Sequence, residues 1–378
     1  MAKEGAIAEA RNLHARAAGW LRQTKGRRGG AAALTAVLVI AVTFAFLHEY
    51  WRAAFASRPV LSEDTRRAAR DKAGQLAKAI EARLVAKGKI QGDAWTSAQI
   101  LVALKENNPQ YKGRAGPRAI AKHFRSIAGP ECACWRKVPA GNFPSHLGVT
   151  SWTLWSLACY GVAAHPTEID FLLAAQGAEG GWPLFAGADP RQFASSYATA
   201  AVILALHEQA AREKNPARRE RIAAAVSKGA GWLKSRASAR ARWADYPDSP
   251  EKKEYLGLSG FVLFALHRTG TPGLAALDRA WMSELPDETP ALLGDEASGR
   301  KVQVGKRAYP DDTLYRTLPW TIVATVHAYP NGSIFGKVRG SRWLERALEP
   351  GAPVYALAGN EPDAALLAEA LFALRTDT

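Results

Sequence analysis

The sequence predicts an all-α fold, an (α/α)6 toroid of six helical hairpins preceded by one transmembrane helix. Three observations predict it: a charge-free apolar run near the N-terminus, an alternation of apolar and amphipathic helical segments, and tryptophans that recur at one place in the hairpins. The chain has 378 residues, 48% of them apolar, and 12 are tryptophan. A chain of this composition buries a large core and is not disordered.

Composition and motifs exclude several classes of protein. Three cysteines exclude a disulfide-stapled scaffold. The sequence contains no Gly-Lys-Ser/Thr phosphate loop, no His-Glu-x-x-His helix and no Cys-x-x-Cys pair. The net charge of +15 suits an anionic surface. We predict a membrane partner. We predict no nucleic acid, because we expect the folded domain to lie outside the cytoplasm.

The first element is a membrane anchor. Residues 29–47 carry no charge, and as a helix they would be ~28 Å long, close to the thickness of a hydrocarbon core. Tyr50 and Trp51 follow, where aromatic rings meet lipid headgroups. The alternative is a cleaved signal peptide, but its apolar region is normally shorter. The predicted domains are a basic cytoplasmic tail (1–28), a transmembrane helix (29–51), a linker (52–65) and the toroid (66–378).

The orientation follows from charge. Residues 1–28 carry seven basic and two acidic residues, and basic flanks stay in the cytoplasm. Arg52, Arg58, Arg66 and Arg67 on the other side oppose this orientation. We therefore predict an inner (plasma) membrane protein with a cytoplasmic N-terminus and an extracytoplasmic toroid.

Two helix types alternate through the rest of the chain. Apolar helices with a small-residue start are predicted at Thr96–Lys105, Thr150–Ala158, Ser196–His207, Ser259–His267, Leu318–His327 and Ala364–Arg375. Amphipathic helices are predicted at 66–88, 116–128, 166–176, 216–236, 274–284 and 339–348. Helices that are apolar all round are buried on every side. The apolar set therefore forms an inner layer and the amphipathic set an outer layer. An open superhelix of the same hairpins is the alternative. No segment alternates for long enough to predict a sheet.

The tryptophans fall into register with this repeat. An aromatic residue or leucine near the end of an outer helix is followed eleven residues later by a tryptophan. The pairs are Leu84 with Trp95, Phe124 with Trp135, Phe171 with Trp182 and Trp232 with Trp243. Four matches at one spacing indicate a structural role for the pair.

The segment from Phe171 to Trp182, with Gln176 and three glycines between them, resembles the Gln–Trp repeats of squalene–hopene cyclases. It is similar to the prenyltransferase/squalene-oxidase repeat generally, over residues 66–376. The resemblance implies an α/α barrel in which Gln and Trp tie the outer helices together. Here the repeat is degenerate, because only one copy keeps its Gln. The copies that begin at Trp281 and Trp343 lack the second Trp.

A candidate catalytic pair lies directly before the fifth inner helix. Tyr309-Pro310-Asp311-Asp312-Thr313 is similar to the Asp-x-Asp-Asp-Thr motif with which class II terpene cyclases protonate an alkene. The resemblance implies that Asp311 is the proton donor and Asp312 its partner. Tyr309 stands where the motif has its first Asp. The alternative is that Asp311 or Asp312 caps the helix that follows.

Other candidates lie in the loops before the inner helices or near the starts of those helices, where a toroid opens its central cavity. The predicted ligand-binding residues are His146, Trp152, Asp245, Tyr246, Tyr309 and Trp320. We predict no metal and no cofactor. Zinc prenyltransferases need an Asp-x-Cys pair, which this chain lacks. Cys132 and Cys134 are closer together than zinc ligands usually are, so free thiols are expected, with a soft-metal site or a disulfide as alternatives.

Three functions remain open. The family resemblance implies that the cavity binds a hydrophobic, isoprenoid-like or lipid ligand, without standard cyclase chemistry because the acid motif is incomplete. The second hypothesis is an envelope carbohydrate-active enzyme, since (α/α)6 barrels also place paired carboxylates in the mouth. The third is a non-catalytic interaction module that binds a membrane-protein partner.

Overall fold

The computed structural model describes residues 63–86, 89–90, 93–108, 110–111, 116–128, 135, 144–250, 252–283, 295–311, 313–316, 320–321 and 323–324. The predicted tail, transmembrane helix and sixth hairpin lie outside these residues, as do Cys132, Cys134 and Asp312. Within the described residues, no helix combines the length and apolar character that a membrane span requires.

The described helices alternate between the two predicted types. The helices are α1 (Glu63–Leu84), α2 (Ala94–Asn107), α3 (Pro117–Ser126), α4 (Leu147–Cys159), α5 (Pro166–Ala174), the short α6 (Pro190–Phe193), α7 (Ser196–Ala210), α8 (Pro216–Arg236), α9 (Leu256–Arg268) and α10 (Ala275–Ser283). Residues 320–321 and 323–324 are helical within the predicted fifth inner helix.

The inner layer consists of α2, α4, α7 and α9. In chain order, each of these helices packs against the next. Their apolar composition leaves no polar stripe, and every residue of α4 from Leu147 to Ala158 is buried. Side-chain caps fix the starts of three of them: Asp93, His146 and Ser195 each accept a hydrogen bond from a backbone N–H in the first turn.

The outer layer consists of α1, α3, α5, α8 and α10. In α8 the buried side chains form one stripe that includes Ile222, Trp232 and Leu233, and this stripe faces α7. Proline stands at the first position of α3, α5 and α8, where its missing N–H costs no hydrogen bond. The alternation of buried and half-exposed helices therefore follows from the amphipathic pattern.

Three of the recurrent tryptophans join an outer helix to the next inner helix. The indole N–H groups of Trp135, Trp182 and Trp243 donate to carbonyls near the ends of the preceding outer helices, at 2.8, 2.7 and 2.8 Å. Their backbone N–H groups donate to a hydroxyl of the following inner helix. The acceptors are Thr150 Oγ1 at 3.2 Å, Thr199 Oγ1 at 2.9 Å and Ser259 Oγ at 2.9 Å. Each of these buried tryptophans thus joins an outer helix to the next inner helix.

The fourth predicted pair differs. Trp95 is the second residue of α2 rather than a loop residue, because the short strands β1 (Val85–Ala86) and β2 (Lys89–Ile90) occupy the connection after α1. Its ring lies beside His146, with a centroid distance of 5.2 Å. Trp95 therefore belongs to the open end of the inner layer and not to the tie between layers.

Adjacent outer helices are tied as the family resemblance implies. Gln176 Nε2 donates to the carbonyl of Gly180 and to that of Ala225 in α8, both at 3.0 Å. The Trp182 ring packs on the backbone of Gly229. Only glycine fits at 229, since a Cβ there would lie 2.5 Å from Trp182 Cζ3.

The sequence predicts no sheet, and the described residues nevertheless contain short antiparallel ladders. They are β1–β2, β3 (Trp182–Pro183) with β4 (Ala194–Ser195), β5 (Trp243–Ala244) with β6 (Glu254–Tyr255), β7 (Asp295–Ala297) with β10 (Leu314–Arg316), and β8 (Lys301–Val304) with β9 (Arg307–Pro310). In two of them, β3–β4 and β5–β6, the strand that begins at Trp182 or Trp243 pairs with the residues that lead into the next inner helix. Ladders of two to four pairs are too short to produce a readable alternation.

Substitution of Gly229 tests the tie between outer helices. We expect Gly229→Ala to lower the free energy of unfolding by about 1–3 kcal/mol, since the new methyl group overpacks against Trp182 and Ile203. Gly231→Ala, in the same helix, meets no atom within 4 Å and should raise stability by about 0.5–1 kcal/mol through helix propensity. Chemical denaturation followed by circular dichroism measures both. Equal effects of the two substitutions would contradict the described packing.

Candidate ligand site at the mouth of the inner layer

Aromatic side chains from several helices turn toward one another on the inward side of α7. Trp152 and Trp155 of α4 are three residues apart and share a face, as do Phe261 and Phe264 of α9. The Trp152 and Phe261 rings stack with a centroid distance of 5.9 Å, and Trp155 stacks on Phe264 at 6.1 Å. Since α4 and α9 both pack on α7, these rings meet inside the curve of the inner layer.

Trp320 completes this aromatic floor. Its ring lies 4.7 Å from that of Phe261 and 6.4 Å from that of Trp152, between centroids. Trp152 and Trp320 are 3% and 5% exposed. The Trp152 indole N–H donates to the Tyr197 hydroxyl at 2.8 Å. The Trp152 N–H therefore has its hydrogen-bond partner inside the cluster, and the rings present mainly apolar faces.

A second set of aromatic residues forms the rim, at the N-terminal ends of the inner helices. The His146 ring lies 5.0 Å from Phe185 and 5.2 Å from Trp95. Phe185 in turn lies 6.0 Å from Tyr309. Trp95 and Tyr309 are only partly buried. We call this end of the inner layer the mouth.

His146 holds the rim together. It is 1% exposed, and its Nδ1 accepts the Val149 N–H at 3.2 Å as the N-cap of α4. A Cβ at Gly148 would lie 3.0 Å from both the His146 and Tyr197 rings, so glycine allows these rings to approach the α4 backbone. The geometry assigns His146 a capping and packing role.

The Asp245 Oδ1 atom has a structural role. Its Oδ1 accepts the Ser195 hydroxyl at 2.6 Å and the Tyr197 N–H at 3.0 Å. The Ser196 N–H donates to the Asp245 carbonyl at 2.6 Å. The side chain is 2% exposed. Asp245 therefore fixes the start of α7 to the loop that follows α8.

Asp311 is also buried, at 2% exposed, and both of its oxygens accept hydrogen bonds. Oδ2 accepts the Tyr246 hydroxyl at 2.9 Å, and Oδ1 accepts the Thr313 N–H at 3.0 Å. The turn that Asp311 stabilises leads into β10 rather than directly into a helix. Burial raises the pKa of Tyr246 well above its usual value, and the carboxylates of Asp311 and Asp245 add to this effect. The Tyr246 hydroxyl therefore remains a hydrogen-bond donor.

The opposite end of the inner layer carries an ion cluster that sequence reasoning missed. Arg268, the last residue of α9, donates to Glu106 of α2 at 3.0 Å and to Glu208 of α7 at 2.8 Å. Burial opposes the charge of Arg268, but the two carboxylates hold its pKa above its usual value. Burial, and then the same carboxylates, raise the pKa of the adjacent Cys159 thiol, which stays neutral at physiological pH.

Two acidic loop residues form ion pairs at the end of an outer helix. Arg236, at the C-terminal end of α8, pairs with Glu179 at 2.6 Å and with Asp248 at 3.0 Å. Glu179 is 70% exposed along its side chain. These two acids therefore form an ion pair network at the end of an outer helix.

The structure brings together most of the predicted site residues, in three pairs. Trp152 and Trp320 meet in the aromatic floor, and His146 and Tyr309 meet through Phe185 in the rim. Asp311 and Tyr246 are directly bonded, whereas Asp312 lies outside the described residues. Sequence reasoning missed six aromatic members. Trp95 was assigned to the tryptophan register, and the other five look like ordinary core residues: Trp155, Phe185, Tyr197, Phe261 and Phe264. Among the described residues, no group of three or more His, Cys, Asp or Glu could hold a metal ion.

Comparison with known proteins shows similarity in fold. No protein-family model and no curated protein sequence matches this chain. Among solved structures, it is similar to ent-copalyl diphosphate synthase from Streptomyces platensis, with 17% identity and a TM-score of 0.51 over 75% of this chain and 49% of the synthase. The chain thus spans about half the length of that synthase.

The chain is also similar to an inactive variant of an α-1,6-mannanase from Salegentibacter sp. HEL1_6, solved with α-1,6-mannotetrose. The identity is 12% and the TM-score 0.52, over 80% of this chain and 98% of the mannanase. The fold is an α/α toroid. The predicted number of six hairpins stays a prediction, because the sixth lies outside the described residues.

Substitution of Asp311 separates a structural from a chemical role. We expect Asp311→Ala to lower the free energy of unfolding by about 3 kcal/mol, because it leaves the Tyr246 hydroxyl and the Thr313 N–H without this partner. Asp311→Asn keeps the shape and should cost less. Chemical denaturation measures both variants. Unchanged stability of Asp311→Ala together with loss of a turnover would instead support an acid catalyst.

Substitution of Arg268 tests the ion cluster. We expect Arg268→Met to lower the free energy of unfolding by about 3 kcal/mol, since it leaves the Glu106 carboxylate, 6% exposed, without its cation. Adding Glu106→Gln should restore part of the loss. Arg221→Met is the control, because Arg221 pairs with Asp170 at 3.2 Å on the surface and should cost at most about 1 kcal/mol. Equal losses for Arg268 and Arg221 would show that the cluster is solvated.

Proposed function

We propose that this chain is a membrane-anchored toroid that binds a hydrophobic, isoprenoid-like or lipid ligand at its aromatic mouth, without standard cyclase chemistry. The observation that carries the proposal is the inward convergence of aromatic rings from α4, α7, α9 and residue 320, beneath a rim in which Trp95 and Tyr309 are partly buried. Aromatic faces bind apolar molecules through large contact areas. The anchor is the predicted helix at 29–51.

The polar groups beside this cluster favour binding over proton transfer. Asp245 and Asp311 both accept hydrogen bonds from buried donors. Both carboxylates therefore serve to fix the loops that carry them. The aromatic floor fills the space between α4 and α9, so we place the ligand above it, between Trp95 and Tyr309.

Native mass spectrometry of the full chain purified in mild detergent tests this proposal. We expect folded protein to carry a non-covalent apolar adduct. Trp95→Leu should lower its occupancy about two- to tenfold, the range of an aromatic contact. Phe124→Leu is the control: it also replaces an aromatic residue by leucine, but in the outer helix α3. Folded protein without any adduct would contradict ligand binding and favour the interaction module.

A carbohydrate-active enzyme is the second candidate. The likeness to the mannanase extends over nearly all of that protein, and its inactive variant has two consecutive aspartates replaced. This chain has consecutive aspartates at 311 and 312. Calorimetric titration of the full chain with α-1,6-mannotetrose tests this candidate. Binding that Asp311→Asn weakens, with no apolar adduct, would favour it over the lipid-binding function.

A further inference from the structure

A two-stranded hairpin lies at the mouth. Strands β8 and β9 pair over four residue pairs, from Lys301 with Pro310 to Val304 with Arg307, and turn at Gly305 and Lys306. Val302 is fully buried and its cross-strand partner Tyr309 is partly buried. Alternation along a strand therefore turns the other side of the hairpin, which includes Lys301 and Gln303, to solvent.

The hairpin is attached to the rim at three points. The Arg300 guanidinium lies over the Tyr246 ring at 4.8 Å and over the Phe193 ring at 5.8 Å. Tyr309 contacts Phe185, and Val304 approaches Gly187 so closely that a Cβ there would lie 3.3 Å from Val304 Cγ1. The hairpin is thus part of the mouth, and these contacts fix its orientation.

The hairpin is strongly basic. Residues 299–310 contain four basic residues and no acidic residue. Lys301, Lys306 and Arg307 are exposed, and none of them forms an ion pair with any residue that the structure describes. Nearby cations such as Arg191 are paired, in that case with Asp189 at 3.1 Å. The hairpin therefore presents three exposed positive charges beside the mouth: Lys301 on its outer side, Lys306 at its turn and Arg307 next to the turn.

We infer that this basic hairpin docks the mouth on the anionic headgroups of the bilayer. The inference rests on the proposed function, in which the toroid is tethered and takes a ligand that dissolves in lipid. The predicted linker, 52–65, reaches at most about 50 Å even when extended, which keeps the domain near the bilayer. Ala308 and Pro310 are the apolar residues exposed on the hairpin. It therefore lacks the large apolar core of a protein interface and suits an electrostatic contact with lipid headgroups.

Hydrogen exchange of the full chain in nanodiscs tests the docking surface. The two compositions are phosphatidylcholine alone and phosphatidylcholine with phosphatidylglycerol. We expect amide exchange in residues 299–310 to slow at least about fivefold in the anionic nanodiscs, the effect of one basic residue near such a surface. Added salt should abolish the difference. The triple variant Lys301→Glu/Lys306→Glu/Arg307→Glu should abolish it as well.

A matched control makes the same charge change elsewhere. Lys122→Glu/Lys214→Glu/Arg219→Glu reverses three exposed cations on or beside outer helices and should keep the slow exchange. Equal exchange in both nanodiscs would overturn the inference. So would protection by added polyglutamate or inorganic phosphate without protection by anionic lipid, since the partner would then be a different anion.

The docking test is independent of ligand binding. The hairpin triple variant should keep the apolar adduct in detergent, where no bilayer is present. In the unsubstituted chain, a retained adduct without docking would overturn this inference alone. A missing adduct in the unsubstituted chain would overturn the proposed function.

Discussion

One hydrogen-bonding constraint organises the described part of this toroid: the segments between outer and inner helices contain buried polar groups, and these need partners inside the protein. A single tryptophan meets this need in three successive loops. Its indole N–H donates to a carbonyl of the outer helix and its backbone N–H to a hydroxyl of the inner helix, as at Trp182 with Leu172 and Thr199. The two layers are therefore fixed relative to each other at each hairpin.

The same constraint shapes the mouth. Once the loops are tied down, the starts of the inner helices are bonded to them through Asp245 and capped by His146 and Ser195. The carboxylates at this end serve as hydrogen-bond acceptors, whereas the rings of Trp152, Phe261 and Trp320 are turned inward. Polar groups thus fix the loops and helix starts, whereas aromatic rings face inward. For this reason we favour binding of an apolar ligand over acid catalysis.

The sequence predicted the helices well and the site incompletely. The outer helix α8 begins and ends where predicted, 216–236, because Pro216 marks its start and its apolar stripe is regular. The regular spacing of the tryptophans predicted the three ties between layers, at Trp135, Trp182 and Trp243. The β8–β9 hairpin was not predicted, since four-residue strands produce no clear period. Phe261 and Tyr197 could not be distinguished from core residues, because only the folded chain shows which side of an inner helix faces inward.

The ion pair between Glu106 and Arg268 joins residues 162 positions apart in the chain. Contacts between such distant residues form late in folding, because a long loop must close before they contribute any stability. The first and fourth inner helices are therefore linked only when the intervening hairpins are already in place. An interaction that forms this late mainly slows unfolding, so the pair acts on the lifetime of the folded chain more than on the speed with which it folds.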